Sequence, residues 1–524
     1  MGSTQAINWD EAKDFGDVIT MAAEVFGEKI AFRDRHRDIS FSEFRAEANA
    51  IAAALIEQGL VAGDRVAILA LGRIESAVLL ALCTAGLIPV PLNSRLSSAE
   101  LARLVQDCKP RALFYESAFQ ESIAAIEEEF VDGPRMFVID PHDASPGSYA
   151  GLVNLGAGVA PAGDPSGDDP CCLLYTSGTT GAPKGVLLPH AGAVANCRDI
   201  ARAAFDFTPD DVTLMAMPLF HVGGIWYYMF PSFASGCTTI IRERFDPDDV
   251  VASMAAEGVT NIHIVPTMLG DILTRPMLAE AAAKLRLIVY AGSSMPSDLL
   301  HRAMQALPAC EFAQAYGSTE GGTITALSPS DHRKAVMDPV WAHLLRSCGR
   351  PIGDVEIRIE PEDDRSSEPL GEILIHSSKL MTGYWQRPEA TAEKLIDGWL
   401  QTGDVGHIDK HGYLYIVDRK NDMIISGGEN VFPFEVEEVL CSHPAVAEAA
   451  VFGVADPRWV ERLVGAVVLH SAQVAEPAEI IAFARQRLAG YKTPKSLLIL
   501  PSLPRNAVGK ILRKELRLEY ADLI

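Results

Sequence analysis

A chain of 524 residues is too long for one ordinary hydrophobic core, so two or more domains are expected. With 48% hydrophobic and 22% charged residues it has the make-up of a soluble globular protein. The formal net charge of −24 argues against a general nucleic-acid binder or a protein that lies on acidic membranes, and leaves room for a local positive pocket.

The N-terminal stretch MGSTQAINWDEAKDFGD carries acids early and no basic-then-apolar signal, which reads as a cytoplasmic protein. DRVAILA (64–70) predicts a strand. The apolar run 76–92 is short and contains Pro89 and Pro91, so it predicts a buried helix running into a strand rather than a membrane span. PRALFYE (110–116) and PRMFVID (134–140) add strands. Strand and helix patterns alternate past residue 300, which predicts parallel sheets covered by helices. GAGVAPAGDPSGDD (156–169) reads as a surface linker before a strand. Over 335–410 the texture changes to short strands with turn signals, predicting a small β subdomain or barrel, after which α/β alternation resumes. The nine cysteines are scattered without zinc-ligand or C-x-x-C spacing and read as reduced thiols.

One stretch concentrates chemistry. YTSGTTGAPKG (175–185) follows the apolar strand CCLLYT. A strand feeding a glycine-rich turn exposes backbone N–H groups that can wrap phosphate oxygens. Thr176, Ser177, Thr179 and Thr180 add hydroxyls around Gly178 and Gly181, and Lys184 adds a mobile positive charge. The stretch is not the Walker pattern, whose lysine opens a helix. By composition alone such a turn is more often a plain loop.

Taken together, these eleven residues resemble the signature of adenylate-forming enzymes: acyl-CoA synthetases, peptide-synthetase adenylation domains and firefly luciferase. The resemblance spans nearly the whole chain. QAYGSTEGG (314–322), TGDVG (402–406), DRKNDMIISGGENVFPFEVE (418–437) and LPRNAVGKILR (503–513) are similar to later motifs of that superfamily, in the same order. The resemblance implies an α/β fold with two parts. A large N-terminal domain (1–418) would hold parallel α/β sheets and a β subdomain, and a small α+β domain (419–524) would rotate about a hinge at Asn421.

The same resemblance implies roles for individual residues. Tyr316 would stack on adenine, bordered by Gly292, Ser293, Ser294, Ala315, Gly317 and Ser318. Asp404 and Arg419 would hold the ribose, with Ile416 beside them. Thr319 would donate to the α-phosphate, and Glu320 with Thr176 would ligate Mg²⁺, a hard cation suited to oxygen. Lys510 would bridge the attacking carboxylate and the α-phosphate, a point-charge role. MPLFHVGGIWYYMF (217–230) resembles the acid-pocket motif: His221 would sit between acyl and nucleotide sites, and Val222, Gly223, Trp226, Thr267, Met268, Gly292 and Gly317 would line the pocket. Coenzyme A contacts would come from Arg95, Trp459, Tyr491, Lys492 and Lys495, with Gly427 and Gly428 presenting the thiol channel.

No Asp or Glu occurs between Asp211 and Glu243. A buried substrate ammonium would therefore go unpaired there, which disfavours amino acids. The expectation is an ATP- and Mg²⁺-dependent ligase joining an apolar monocarboxylic acid (fatty, cyclic or aromatic) to coenzyme A through an acyl-adenylate. It would act on small molecules, without nucleic acid or integral membrane association. Alternatives are a stand-alone adenylation enzyme that loads a carrier protein, and a non-catalytic nucleotide-binding regulator. The oligomeric state, a homodimer included, stays open.

Overall fold

In this computed structural model the described residues are 7–129, 133–140, 143–160, 163–176, 183–361, 370–420, 422–426, 429–456, 459–471, 473–505 and 511–520; for 129, 203, 429 and 430 only the backbone is described. A nine-stranded sheet forms the centre. Its middle strands, Ile30–Arg33, Thr238–Ile241, Val212–Met215, Asn261–Ile264, Leu287–Ala291 and Glu311–Ser318, lie side by side and parallel. The central ones are short and largely buried, as a helix-covered parallel sheet requires, and LIVYA (287–291) is a continuous apolar run. A second, four-stranded parallel sheet is built from Arg65–Leu69, Ile88–Pro91, Ala112–Tyr115 and Arg135–Val138. Between the sheets, Phe15, Phe32, Phe41, Phe44, Phe230 and Phe233 are fully buried and pack ring against ring.

The segment 76–92 folds as helix, 3₁₀ turn and the strand Ile88–Pro91. No helix among the described residues is long and apolar enough to cross a membrane. The β texture starts later than the composition of 335–410 suggests. Pro329–Met337 is a helix, capped by Ser328 and Asp331 in a reciprocal capping box, and Pro339–Arg346 is a 3₁₀ helix. Local capping outweighs the turn-rich composition there. The antiparallel sheet that follows comprises Glu356–Pro361, Gly371–His376, Leu395–Ile396, Trp399–Ile408 and Leu414–Arg419.

The last of those strands ends at Arg419, and the next sheet opens with Ile424–Ser426. That C-terminal sheet pairs Val446–Asp456 with Val460–Leu469 and adds Glu429–Val431 and Ser496–Ile499. Its own core holds Ile424, Val436, Leu440, Val451 and Val467. Bonds also cross the junction: the Phe434 N–H donates to Asp418 Oδ2 (2.9 Å), and Lys420 pairs with Glu372 (2.7 Å). Beyond the junction, Arg513 is shared between Glu437 (2.8 Å) and Asp422 (3.3 Å).

Candidate active site

Four neighbouring parallel strands end together, and the chain-separated motifs follow their carboxyl ends. Val212–Met215 runs into Pro218–Gly223, Asn261–Ile264 into Val265–Met268, Leu287–Ala291 into Gly292–Ser294, and Glu311–Ser318 into Thr319 and Glu320. Strand ends of an open α/β sheet are where loops can surround a ligand.

Tyr316, Asp404 and Arg419 form one cluster. The Tyr316 hydroxyl donates to Asp404 Oδ2 at 2.6 Å, and Arg419 Nε lies 3.0 Å from Asp404 Oδ1. Asp404 and Arg419 are cross-strand partners, so strand pairing sets their contact. Asp404 is only 5% exposed, and a buried carboxylate is tolerable because a guanidinium faces it. Asp404 in turn holds Arg419 more firmly protonated, while burial and then Asp404 push the Tyr316 hydroxyl up. Ile416 is half-buried on the Arg419 strand, and Ala315 is buried beside Tyr316. Ser293 and Ser294 are exposed. Gly292 has φ +84, and an added Cβ there would press on Val265 at 3.3 Å.

The glycine-rich stretch spans a hairpin, not a strand-to-helix turn. Thr176 and Lys184 are register partners on antiparallel strands Pro170–Thr176 and Lys184–Pro189, and Thr176 Oγ1 donates to the Lys184 carbonyl at 3.4 Å. Ser177, Gly178, Thr179, Thr180 and Gly181 lie outside the described residues. Gly383–Tyr384 adds a third strand. Tyr384 links the hairpin to the other phosphate motif: Lys184 Nζ lies 5.1 Å from the centre of its ring, and its hydroxyl donates to Glu320 Oε1 at 2.9 Å. Sequence reasoning missed Tyr384, which no spacing rule connects to Glu320. Thr176 and Glu320, the residues expected to meet Mg²⁺, each offer an oxygen donor, the ligand type that cation takes.

On the acyl side, His221 caps the short helix that follows it, its Nδ1 accepting the Gly223 N–H at 3.1 Å. The ring proton then sits on Nε2. His263, also missed, approaches the same glycine from the neighbouring strand and donates from Nδ1 to the Gly223 carbonyl at 3.1 Å. Burial pushes both imidazoles down to about 4, so both are neutral at physiological pH. A Cβ on Gly223 would meet both rings, at 3.2 and 3.4 Å. Val222 is buried, and Thr267 and Met268 are half-buried. Trp226 departs from the pocket-wall expectation: its indole is 2% exposed and packs against Phe15 and Phe230, each 4.9 Å away, as part of the core. A shallow, mostly apolar cleft is lined by Ile68, Leu80, Leu92, Leu219 and Phe220, with the Arg95 guanidinium over the Phe220 ring (6.0 Å).

Lys510, Asn421, Gly427 and Gly428 lie outside the described residues. The stretch holding Lys510 is closed at its base by an antiparallel bridge, Arg505 to Ile511, and Arg505 pairs with Glu448 at 2.8 Å. Asp271 sits on the helix that follows Val265. Burial raises its pKa, with Arg275 opposing, Glu448 adding to the rise and Arg505 opposing it. Glu448 and Arg505 therefore lie within electrostatic reach of that helix. Of the five residues expected to meet coenzyme A, the four C-terminal ones fall into two pairs: Lys495 Nζ is 5.2 Å from the Trp459 ring, and Lys492, ion-paired with Glu435 at 2.6 Å, is 5.8 Å from the Tyr491 ring.

Elsewhere, Cys83, Cys171 and His190 bring donor atoms within 4.8 Å of one another in the core. They make a poor metal site. His190 Nδ1 accepts the Phe15 N–H at 3.1 Å, which leaves the ring proton on Nε2, and burial pushes the Cys171 thiol up.

The AMP-binding enzyme family model matches residues 19–385, and the AMP-binding enzyme C-terminal domain matches 435–510. The chain belongs to the AMP-binding enzyme family. It is 36% identical over 506 residues to the fatty acid–[acyl-carrier-protein] ligase ScoC of Streptomyces coeruleorubidus, covering 92% of this chain and 91% of that one. It is 35% identical over 489 residues to a feruloyl-CoA synthase of an Amycolatopsis species, covering 92% and 94%. ATP-bound MatB from Rhodopseudomonas palustris superposes with a TM-score of 0.88 at 28% identity, over 97% of this chain and 99% of that one. Apo MatB gives a TM-score of 0.75 at 27% identity over the same shares.

Proposed function

We propose that this chain ligates an apolar monocarboxylic acid to coenzyme A through an acyl-adenylate, releasing AMP and pyrophosphate. The observation that carries the reading is the junction of three groups at the strand ends: Tyr316–Asp404–Arg419, Glu320–Tyr384–Lys184, and the neutral pair His221 and His263. A ribose-binding carboxylate, a phosphate-side cation and an uncharged acyl site side by side suit attack of a carboxylate on ATP. The feruloyl-CoA synthase relative supports an acyl-CoA product, and the greater likeness to ATP-bound MatB supports a nucleotide-ready arrangement.

In the first step a carboxylate oxygen attacks the α-phosphorus and the bond to pyrophosphate breaks. Asp404 accepts from the ribose hydroxyls, Thr319 donates to the α-phosphate and Lys184 follows the departing pyrophosphate. Lys510 offsets the charge that builds up where two anions meet. Glu320 and Thr176 would hold Mg²⁺, which would neutralise charge on the phosphates. In the second step the thiol sulfur of coenzyme A attacks the acyl carbon, the bond to AMP breaks and the thiol proton leaves to solvent. A mixed anhydride is already a good electrophile, so no protein nucleophile is needed. A boundary after Asp418, with rotation about Asn421, would let the C-terminal part serve both steps; Arg95, Trp459, Tyr491, Lys492 and Lys495 are proposed for coenzyme A.

Asp211, the nearest acid before the acyl motif, is taken up by Arg286 (2.6 Å) and Thr260 (2.6 Å), which supports an uncharged tail. A panel of benzoate-type, cyclic and fatty acids, assayed for AMP release, should show release that needs both one class of acid and coenzyme A. Lys510→Ala should abolish acid-dependent ATP–pyrophosphate exchange; near-normal exchange would sink its role. The ScoC relative favours a second reading, in which the acceptor is a carrier protein. Holo-carrier outcompeting free coenzyme A would establish it.

A further inference from the structure

The helix after His221 is interrupted by a π turn, Ile225–Met229, which shifts the hydrogen-bond register and requires carbonyls to find other partners. The Trp226 carbonyl accepts from Asn196 Nδ2 at 2.7 Å. Asn196 is 3% exposed on the helix His190–Asp199, and its Oδ1 accepts the Thr323 N–H at 2.9 Å. One buried amide therefore spans from the acid-pocket helix to the strand that follows Glu320, and only one orientation of the amide satisfies both bonds.

The next residue makes a second span. The Tyr227 hydroxyl lies 2.5 Å from the Ser318 carbonyl and 2.8 Å from the Gly322 carbonyl, the two ends of the turn that carries Thr319 and Glu320. Gly317 is required where this turn closes, since a Cβ would sit 2.3 Å from the Gly322 carbonyl and 2.8 Å from the Tyr227 hydroxyl. Ser318 Oγ accepts the Gly321 N–H at 3.0 Å, which tightens the turn from within. The contacts are continuous: the acyl wall at Val222 and Gly223, then Tyr227 and Asn196, then Glu320, Tyr384 and Lys184.

We propose that Asn196 and Tyr227 are positioning residues that couple the acid site to the phosphate site. They hold the Ser318–Gly322 turn to the acid-pocket helix, so that the fit of the acid's tail sets where Thr319 and Glu320 meet the nucleotide. A poorly fitting acid then fails twice: it binds less well, and it leaves the phosphate side misplaced. This rests on the ligase reading above.

The test compares ATP–pyrophosphate exchange for the preferred acid and for an acid one methylene longer. ATP binding without acid is measured by calorimetry. Tyr227→Phe should raise the KM for ATP at saturating acid about tenfold, the scale of one lost buried hydrogen bond. It should change ATP binding without acid less than twofold and narrow the preference between the two acids. Equal weakening of ATP binding with and without acid, or an unchanged acid preference, would overturn the proposal. Asn196→Asp keeps the acceptor for Thr323 but sets a carboxylate against the Trp226 carbonyl. Protonation restores the donor, so its exchange rate relative to wild type should recover as pH falls, even if Tyr227→Phe folds poorly. A flat ratio against pH would count against Asn196. If the wild type exchanges with no acid in the panel, the ligase reading fails and takes this one with it; exchange in the wild type with unaltered variants sinks the positioning role alone.

Discussion

His221 and His263 approach Gly223 from two strands, one accepting its N–H and the other donating to its carbonyl. Each hydrogen bond fixes a tautomer, and burial keeps each ring neutral. A histidine in ordinary surroundings titrates near 6.5 and would be partly cationic at mildly acidic pH; these two charge only near 4. The sign is that of a pKa depressed by desolvation, so lowering the pH from 8 to 5.5 leaves His221 as an N–H donor and never makes it a cation in that range. The KM for the acid should therefore show no inflection between pH 5.5 and 8. An inflection near 6.5 that disappears in His221→Gln would show that the ring is charged in use.

Among the elements, the phosphate hairpin shows what sequence could and could not convey. Gly178, Gly181 and Lys184 announce phosphate chemistry, yet a glycine-rich turn after a strand leads equally well into a helix or back along a second strand. The pairing of Thr176 with Lys184 decides it, and the distant strand Gly383–Tyr384 pairs with the second arm of the hairpin. The parallel sheet was legible because buried strands such as LIVYA, 287–291, are uniformly apolar. Trp226 was not, because an aromatic after an acid-pocket motif reads the same whether it faces a ligand or Phe15. The 3₁₀ helix Pro339–Arg346 was hidden for another reason: PVWAHLLR is a short apolar run, which reads as a strand as easily as a helix. In the C-terminal sheet, Val460 starts its strand at φ +69, a left-handed conformation costly to a β-branched residue, while its side chain is 62% exposed. Relief of that strain outweighs the extra freedom that glycine gives the unfolded chain. Val460→Gly should thus leave the protein as stable or stabilise it by about 1 kcal/mol, measured by denaturant unfolding. A loss of more than about 1 kcal/mol would show that the valine side chain makes contacts that matter.

At the scale of the whole molecule, the proposed site draws on separate sheets: a central sheet for the acyl and adenine motifs, a small hairpin for Lys184, an antiparallel sheet for Asp404 and Arg419, and beyond them the C-terminal part, where an Arg505–Ile511 bridge flanks the stretch holding Lys510. Arg419 and Lys184 bring positive charge to the proposed nucleotide side, in a chain of net charge −24.

The uncharged imidazoles also limit what a carboxylate can gain on the proposed acyl side. A carboxylate entering beside them gives up its hydration to two neutral rings and gains no countercharge from either, so its affinity has to come from burial of the apolar tail. Calorimetry should find the free acid binding the protein alone no more tightly than its uncharged primary amide. An acid that binds about tenfold more tightly than its amide would mean that its charge is met by a group other than these rings.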